Sequence, residues 1–341
     1  MIGPDDLILV TGATGFMGPA VVNSLLRHGF KNVRAFVRPS SNLGRLKAVA
    51  DDRCEYARIE LVRGNLLSPD DCRMAVQDAS VIFHLATAGD KSYPDAFMNS
   101  VVTTRNLMEA CRHQASLHRF VNISSFAVYA NAEDNKCIDE GSSVGEVGGD
   151  AYTFAKVKQD ELVTGYGRRF GIPYVIVRPG SVFGPGKEAI SGRVGIDTFG
   201  MFMHLGGSNR IPLTYIDNCA DAIVLAGVTP GIEAEVFNVV DDDLPSSRQF
   251  LRQYKRSVKR MRSIYIPRPV SYAFCRLWER YADWSEGQLP PVFNRRRWNA
   301  EWKKTRYSNE KLKIKLGWTP KIPMQEGLRR YFAGCREAHG A

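Results

Sequence analysis

A tyrosine and a lysine lie four residues apart in the stretch DAYTFAKVKQDE, at Tyr152 and Lys156. In an α-helix such a pair shares one face and points at the same ligand. A phenol with its ordinary pKa of about 10 transfers protons poorly at neutral pH, but a nearby ammonium lowers that pKa. The pair therefore suits general acid–base chemistry on a substrate oxygen, provided that a hydride acceptor lies nearby. A plain surface helix gives the same spacing by chance.

The start of the chain supplies a site for such an acceptor. The run LILVTGATGFMGPAVVNSLL reads as an apolar strand, a glycine-rich turn and a helix. Glycine allows a tight turn and lets a pyrophosphate approach the backbone, while the helix N-terminus offers free N–H groups to the anion. The residues expected to contact a dinucleotide here are Gly12, Thr14, Gly15, Phe16, Met17 and Gly18.

Short apolar runs alternate with helical patterns over the first 180 residues. This alternation predicts an α/β fold of the Rossmann type, with a doubly wound parallel sheet. We expect a dinucleotide-binding domain over 1–180 and, over 181–341, a smaller substrate-binding lobe. The strand at about 234–241 is expected to return to the sheet. Ligands of open α/β sheets bind at the carboxyl edge of the strands, which the lobe would cover.

Charge is unevenly distributed along the 341 residues. Residues 248–341 hold 23 of the 46 basic residues, 7 of the 36 acidic ones and all five tryptophans. Four interpretations are open for this segment. It could be a solvated helical surface with tryptophans in the core, or it could bind an anionic substrate, the surface of a membrane or a nucleic acid. No nucleic-acid motif accompanies the charge, so a nucleic-acid partner is not expected.

The remaining composition is that of an ordinary globular protein. No apolar run is long enough to span a membrane, and the N-terminus does not resemble a secretory signal. Seven scattered cysteines without a CxxC pair predict reduced thiols, a cytoplasmic location and no metal site.

The GxxGxxG spacing of TGATGFMG resembles the extended short-chain dehydrogenase/reductases, the NAD-dependent epimerase/dehydratase family. The resemblance covers nearly the whole chain and implies an NAD(P)-dependent hydride-transfer enzyme. Three further stretches, RGNLL, FHLATAG and RPGSVFGPG, resemble cofactor-lining parts of that family. They add Asn65, Leu66, Ala86, Thr87, Gly180, Ser181 and Val182 to the expected cofactor contacts, with Asn65 standing in for the usual aspartate.

The resemblance also assigns catalytic roles. The strand end RFVNISSFAVYA resembles SSxxVYG, which selects Ser125 as the residue that orients the reacting oxygen. Tyr152 would exchange the proton, and Lys156 would tune the phenol and hold the nicotinamide ribose. Dehydratases of the family place an Asp-Glu pair after this serine. Here Phe126 and Ala127 follow, which argues against elimination chemistry.

The second strand ends NVRAFVRPSSN, where NAD-binding relatives usually place an acidic residue. This chain has Val37 followed by Arg38. Because arginine pairs with a 2′-phosphate, and Ser40 and Ser41 can add hydrogen bonds, NADP(H) is favoured and NAD(H) is the alternative.

Two substrate classes compete. A nucleotide sugar is favoured, with Arg193, Arg210 and the run Arg295–Arg297 as candidates to hold its phosphates. A hydrophobic alcohol or ketone is the alternative, because IPRPVSYAFCRLWERYADW resembles the C-terminal part of the 3β-hydroxysteroid dehydrogenase-like subgroup. A non-catalytic dinucleotide sensor is a third possibility. The resemblance further implies a homodimer formed through helices near 97–114 and 151–170.

Overall fold

The computed structural model describes residues 2–53, 58–87, 92–129, 137–145, 150–187, 190–198, 200–285, 295–302 and 304–338. The strands are β1 (Leu7–Thr11), β2 (Asn32–Val37), β3 (Arg58–Arg63), β4 (Val81–His84), β5 (Arg119–Ile123), β6 (Cys137–Ile138), β7 (Tyr174–Pro179), β8 (Ser181–Phe183), β9 (Gly195–Thr198), β10 (Met201–His204), β11 (Leu213–Tyr215), β12 (Val236–Val239), β13 (Ser263–Tyr265) and β14 (Arg306–Tyr307).

The α-helices are α1 (Gly18–Arg27), α2 (Gly44–Arg53), α3 (Pro69–Val76), α4 (Tyr93–Ala96), α5 (Thr103–Cys111), α6 (Ala151–Phe170), α7 (Ile216–Val228), α8 (Ser247–Ser257), α9 (Arg268–Trp284), α10 (Arg295–Trp302), α11 (Glu310–Leu316) and α12 (Met324–Ala338). A π-helical turn, Phe97–Val102, joins α4 to α5, and a 3₁₀ turn, Phe126–Tyr129, follows β5. No helix among the described residues is both long and apolar enough to cross a membrane.

Seven strands form one parallel sheet in the order β3-β2-β1-β4-β5-β7-β12. The order reverses beside β1, so the chain winds outward in both directions, and the predicted doubly wound sheet is confirmed. Because every pairing in this sheet is parallel, all seven strands end at the same edge. That edge carries the residues that follow β1, β2, β4, β5 and β7, where ligands of such sheets bind.

Helices cover both faces of the sheet. Along β1, Ile8 and Val10 pack into one hydrophobic cluster with α1 and α7, while Leu9 points into another with α3, α5 and α6. This alternation follows from the two-residue period of a strand. The second half of the chain supplies two strands of this sheet, β7 and β12, which pair with each other, and the helix α7, which packs on one face.

A separate cluster builds the C-terminal lobe from Phe183, Phe202, Phe250, Leu328 and Phe332, among others. Two side sheets, β9-β10-β13 and β8-β11, belong to this part of the chain. Three of the five tryptophans are core residues, because Trp298, Trp302 and Trp318 are buried and each indole N–H donates to a protein oxygen. The tryptophan-rich tail is thus partly explained by packing.

Candidate active site

Helix α6 carries the tyrosine and the lysine, and both of its ends are specified locally. The Asp150 side chain accepts the Thr153 N–H at 3.0 Å and caps the N-terminus. Gly171 ends the helix in the left-handed conformation, with φ of 68°. The cap places Tyr152 in the first turn, and Lys156 follows one turn later on the same face.

Lys156 connects this helix to the end of β5. Its ammonium donates to the Ile123 carbonyl at 2.7 Å and lies 6.0 Å from the centre of the Tyr152 ring. Ser125 begins the loop two residues after Ile123, close enough to the Tyr152 phenol to lower its pKa. The three residues expected to perform catalysis are therefore brought together at the carboxyl edge of the sheet.

Burial shifts the pKa of both Tyr152 and Lys156. Desolvation lowers the pKa of Lys156 from 10.5 to about 8, partly offset by the Asp160 carboxylate. Burial raises the pKa of the Tyr152 phenol, and the hydrogen bond with Ser125 opposes that rise.

Asp160 and Arg178 form a buried ion pair one turn beyond Lys156. The Asp160 carboxylate accepts hydrogen bonds from the Arg178 guanidinium, the Ser124 hydroxyl and the Asn122 amide. Burial raises the pKa of Asp160, and Arg178 opposes the rise. The pair ties α6 to β5 and β7, so it fixes the helix that carries Tyr152 against the sheet.

The same arginine continues the network outward. Arg178 donates to the Tyr129 hydroxyl at 2.8 Å, and Tyr129 donates to the Asn238 side-chain oxygen at 2.9 Å. The Asn238 N–H in turn donates to the Glu140 carboxylate at 2.7 Å. Strand β12 is thereby linked to the turn that follows Ser125.

A second buried network meets α6 at Gln159, the residue next to Asp160. The Thr104 hydroxyl donates to the Ser100 carbonyl at 2.6 Å and accepts from the Gln159 amide at 2.7 Å. His84 Nε2 lies 2.9 Å from the same hydroxyl, so this nitrogen carries the proton, and Nδ1 accepts from Thr11 at 2.8 Å. Burial lowers the pKa of His84 to about 3, which keeps the ring neutral.

The glycine-rich turn has the backbone that its sequence predicts. Gly12 has φ of 69°, a conformation that favours glycine. A Cβ on Gly18 would lie 2.3 Å from the Ala13 carbonyl oxygen, so the turn and α1 pack together only with glycine there. Helix α1 begins without a side-chain cap. Its first N–H groups therefore suit a bound phosphate.

A cleft of about 290 Å³ opens beside this turn. Eight of the residues expected to contact the dinucleotide line it: Gly12, Thr14, Gly15, Arg38, Asn65, Leu66, Ala86 and Thr87. Asn99 and Ser41 line it as well. The residues present therefore fit a dinucleotide, because glycines, hydroxyls, an amide and a cation surround one elongated space.

Arg38 lies on the rim of this cleft and is exposed. Among the described residues, no side-chain hydrogen bond or ion pair is made by its guanidinium. By contrast, the neighbouring guanidinium of Arg63 donates to the Pro39 carbonyl at 3.1 Å, and that of Arg34 pairs with Glu60. Arg38 is thus available to an anion.

The other expected cofactor residues are not among those that line this cleft. Phe16 lies 5.6 Å below the Lys187 ammonium, and Met17 is the residue before α1. Ser181 donates its N–H to the Pro212 carbonyl at 2.6 Å, and the Val182 carbonyl accepts from Lys187. Gly180, Ser181 and Val182 follow β7 at the edge that Ser125 also occupies.

The proposed phosphate-binding arginines differ in position. Arg193 donates to the Tyr307 hydroxyl at 3.1 Å, and the Tyr307 ring stacks on Phe126, whose centre is 5.6 Å away. Phe126 is the neighbour of Ser125, so a chain of two contacts leads from Arg193 to the loop that carries Ser125.

Arg210 and Arg295 are held elsewhere in the lobe. Arg210 donates to the Leu244 carbonyl, and Arg295 is paired with Glu279 at 2.6 Å. The side chains of Arg296 and Arg297 lie outside what the structure describes.

Two buried polar networks lie behind the site, one formed by His84, Thr104 and Gln159 and the other by Asp160 and Arg178. Sequence reasoning gave none of these residues a role, although four of them stand inside the motifs quoted above. A usable signal exists, since a histidine ends the apolar run SVIFH and an arginine interrupts YVIVRP. A buried polar group requires a partner, and the pattern does not reveal which one.

Comparison with known proteins connects this geometry to a group of enzymes. The sequence profile described as the NAD dependent epimerase/dehydratase family matches residues 8–239. The structure of UDP-glucuronic acid 4-epimerase from Bacillus cereus in complex with NAD is similar, with a TM-score of 0.72, 21% identity, and coverage of 97% of this chain and 99% of the other. At that identity the likeness shows the fold.

Two curated relatives are similar along most of this chain. The trifunctional UDP-glucose 4,6-dehydratase/UDP-4-keto-6-deoxy-D-glucose 3,5-epimerase/UDP-4-keto-L-rhamnose-reductase of Arabidopsis thaliana is 24% identical over 95% of this chain. The chain spans only 46% of the length of that relative. The sterol-4-alpha-carboxylate 3-dehydrogenase of Saccharomyces cerevisiae is 26% identical and covers 97% of this chain and 98% of its own.

Proposed function

Since the chain belongs to the NAD-dependent epimerase/dehydratase family, we propose that it transfers hydride between a nicotinamide cofactor and a sugar carbon of a nucleotide sugar. The observation that carries the proposal is the convergence of Ser125, Tyr152 and Lys156 at the sheet edge that also holds the dinucleotide cleft. Arg193 supports the substrate class, because a cation beside the Ser125 loop suits a pyrophosphate.

The chemistry divides between the cofactor and the protein. When bound, the nicotinamide supplies the hydride donor or acceptor. Tyr152 takes the proton of the substrate hydroxyl, or returns one to the carbonyl. Ser125 donates a hydrogen bond to the same oxygen and holds it next to the phenol. Lys156, cationic below a pH of about 8, provides the positive charge that favours the phenolate.

We assign NADP(H) as the preferred cofactor. The Arg38 guanidinium faces the cleft at the end of β2, where an acidic residue would bind the ribose hydroxyls of NAD. Ser41 lines the same part of the cleft and offers a hydroxyl to a 2′-phosphate. NAD(H) is the alternative, consistent with the NAD bound in the similar epimerase structure.

A hydrophobic alcohol or ketone, such as a 3β-hydroxysteroid, is a second candidate substrate. It is favoured by the sterol dehydrogenase relative, which is similar over nearly the full length of both chains. Tyr307, which is half-buried and stacks on Phe126 next to Ser125, offers ring surface that suits such a substrate.

A homodimer through α5 and α6 is also proposed. Tyr93, Phe97 and Met98 are each more than 40% exposed and lie beside the N-terminal part of α6, where Tyr93 packs 5.5 Å from Phe154. An exposed apolar patch of this kind is typical of an interface. Sedimentation of the protein and of a Phe97→Glu variant tests it, since the variant should be monomeric.

The substrate class is decided by a parallel assay. Purified protein is incubated with NAD or NADP and either UDP-glucuronic acid, UDP-glucose or a 3β-hydroxysteroid, and products are separated by chromatography. We expect turnover of a UDP-sugar, with kcat reduced by about 10²–10⁴-fold in Tyr152→Phe. Turnover of the steroid alone would select the second candidate. Ligand-dependent behaviour that Tyr152→Phe leaves unchanged would indicate a dinucleotide sensor.

A further inference from the structure

Among the described residues, helix α9 has one buried face and one face with exposed apolar side chains. The inner face carries Ser271, Cys275 and Ala282, which are buried against the lobe. The outer face carries five large side chains with relative exposures of 46–76%: Val270, Phe274, Leu277, Tyr281 and Trp284. Their spacing of four, three, four and three residues places them in one stripe on a different side of the helix from the buried residues.

The exposure is concentrated in this part of the surface. Of the sixteen exposed large hydrophobic side chains in the described part of the chain, eight lie between Ile264 and Trp284. Tyr281 and Trp284 stack on the outer face with ring centres 5.7 Å apart. A contiguous exposed patch of this kind marks a contact surface, whereas scattered single residues do not.

Basic side chains border the stripe. Arg276 and Arg280 lie one helical turn apart on one side of α9, and both are exposed. In the sequence, α9 follows a basic segment that holds Arg256, Lys259, Arg260 and Arg262. Long arginine side chains can extend along apolar surface and place their charge among anionic head groups.

We propose that the outer face of α9 binds the surface of an anionic lipid membrane, with the helix lying in the plane of the head groups. An apolar stripe rich in aromatic residues and bordered by cations is the arrangement that inserts shallowly into a bilayer interface. A second copy of the chain is the competing occupant. It is disfavoured because two such faces would bring the same arginines together. The inference stands on α9 and does not depend on which substrate the active site takes.

Vesicle co-sedimentation of the full chain tests the proposal. The vesicles contain phosphatidylcholine alone or with about 30% phosphatidylserine. We expect binding to the anionic vesicles, weakened by high salt, and at least about tenfold weaker binding for Leu277→Glu/Trp284→Glu. The control is Ile314→Glu, because Ile314 on α11 is 80% exposed but lies outside the stripe; it should bind like the unmodified protein.

The stripe also contains its own fluorescent reporter. Trp284 is 76% exposed, whereas Trp298, Trp302 and Trp318 are buried. Brominated lipids should therefore quench emission from Trp284 and lose most of that effect in Trp284→Phe. The proposal is overturned if the protein ignores anionic vesicles, or if the double variant binds them equally. It is also overturned if the double variant only separates a dimer into monomers, which would assign the face to a second copy.

Discussion

The Arg178 guanidinium holds the Asp160 carboxylate with two hydrogen bonds to the same oxygen, from Nε at 3.1 Å and Nη2 at 3.0 Å, and both side chains are buried. The pair joins β7 to α6 one turn after Lys156. It therefore fixes the position of α6 relative to the sheet. That position in turn sets the distance between Tyr152 and the cofactor cleft.

Removing the carboxylate should be costly for stability. In Asp160→Asn the Arg178 charge stays buried without its counter-ion, so the free energy of unfolding should fall by about 3–5 kcal/mol. Denaturant unfolding measures the loss. The exposed pair of Asp70 and Arg73 on α3 is the control, and Asp70→Asn should change stability by less than about 1 kcal/mol. Equal effects of the two substitutions would show that the buried pair does not stabilise the fold.

The pH dependence of the free energy of unfolding should reveal the lowered pKa of the buried Lys156. Burial lowers the pKa of Lys156 from 10.5 to about 8 in the folded protein, so the unfolded chain binds more protons between those values. Stability contributed by this site therefore rises with pH across that window. The cost of burying the charge is present below about pH 8 and disappears above 10.5.

A Lys156→Met variant isolates this contribution. At neutral pH the free energy of unfolding of the variant should exceed that of the unmodified protein by the largest amount. This difference should decline by about 3 kcal/mol as the pH rises from about 8 to 10.5. Parallel denaturation curves at neutral and alkaline pH measure the difference. A difference that is independent of pH would mean that the lysine titrates normally.

Two glycines of the N-terminal turn should respond differently to alanine. A Cβ on Gly18 would lie 2.3 Å from a backbone carbonyl, whereas one on Gly15 meets only the Gly12 carbonyl oxygen, at 3.2 Å. Gly18→Ala should lower the free energy of unfolding by about 1–3 kcal/mol. Gly15→Ala should leave folding nearly intact but weaken dinucleotide binding about tenfold, because the methyl group enters the cleft. Thermal unfolding and cofactor titration separate the two effects.

Cofactor preference should depend on one arginine. Arg38→Ala should raise the Kd of NADP by about 10–100-fold, since a charge-assisted hydrogen bond to the 2′-phosphate is lost, and should change the Kd of NAD little. Arg63→Ala is the matched control, because its guanidinium already donates to the Pro39 carbonyl. If Arg38→Ala weakened both cofactors equally, Arg38 would contact the shared part of the dinucleotide instead.

The active-site motifs were readable from sequence because each is local. The turn from Gly12 to Gly18 needs only its own backbone, and Tyr152 and Lys156 share a face through helical geometry alone. The alternation of strands and helices likewise determined the sheet, since parallel strands joined by helices have few ways to pack.

Tertiary structure decided which distant groups meet. Thr11 and His84 are 73 residues apart, and Tyr129 and Asn238 are 109 apart; their pairing follows from strand order. It also decided which apolar face of α9 is covered, because the periodicity of RPVSYAFCRLWERYADW allows either. Local spacing determines which residues share a face, but burial depends on what packs against it, and that is a property of the whole chain.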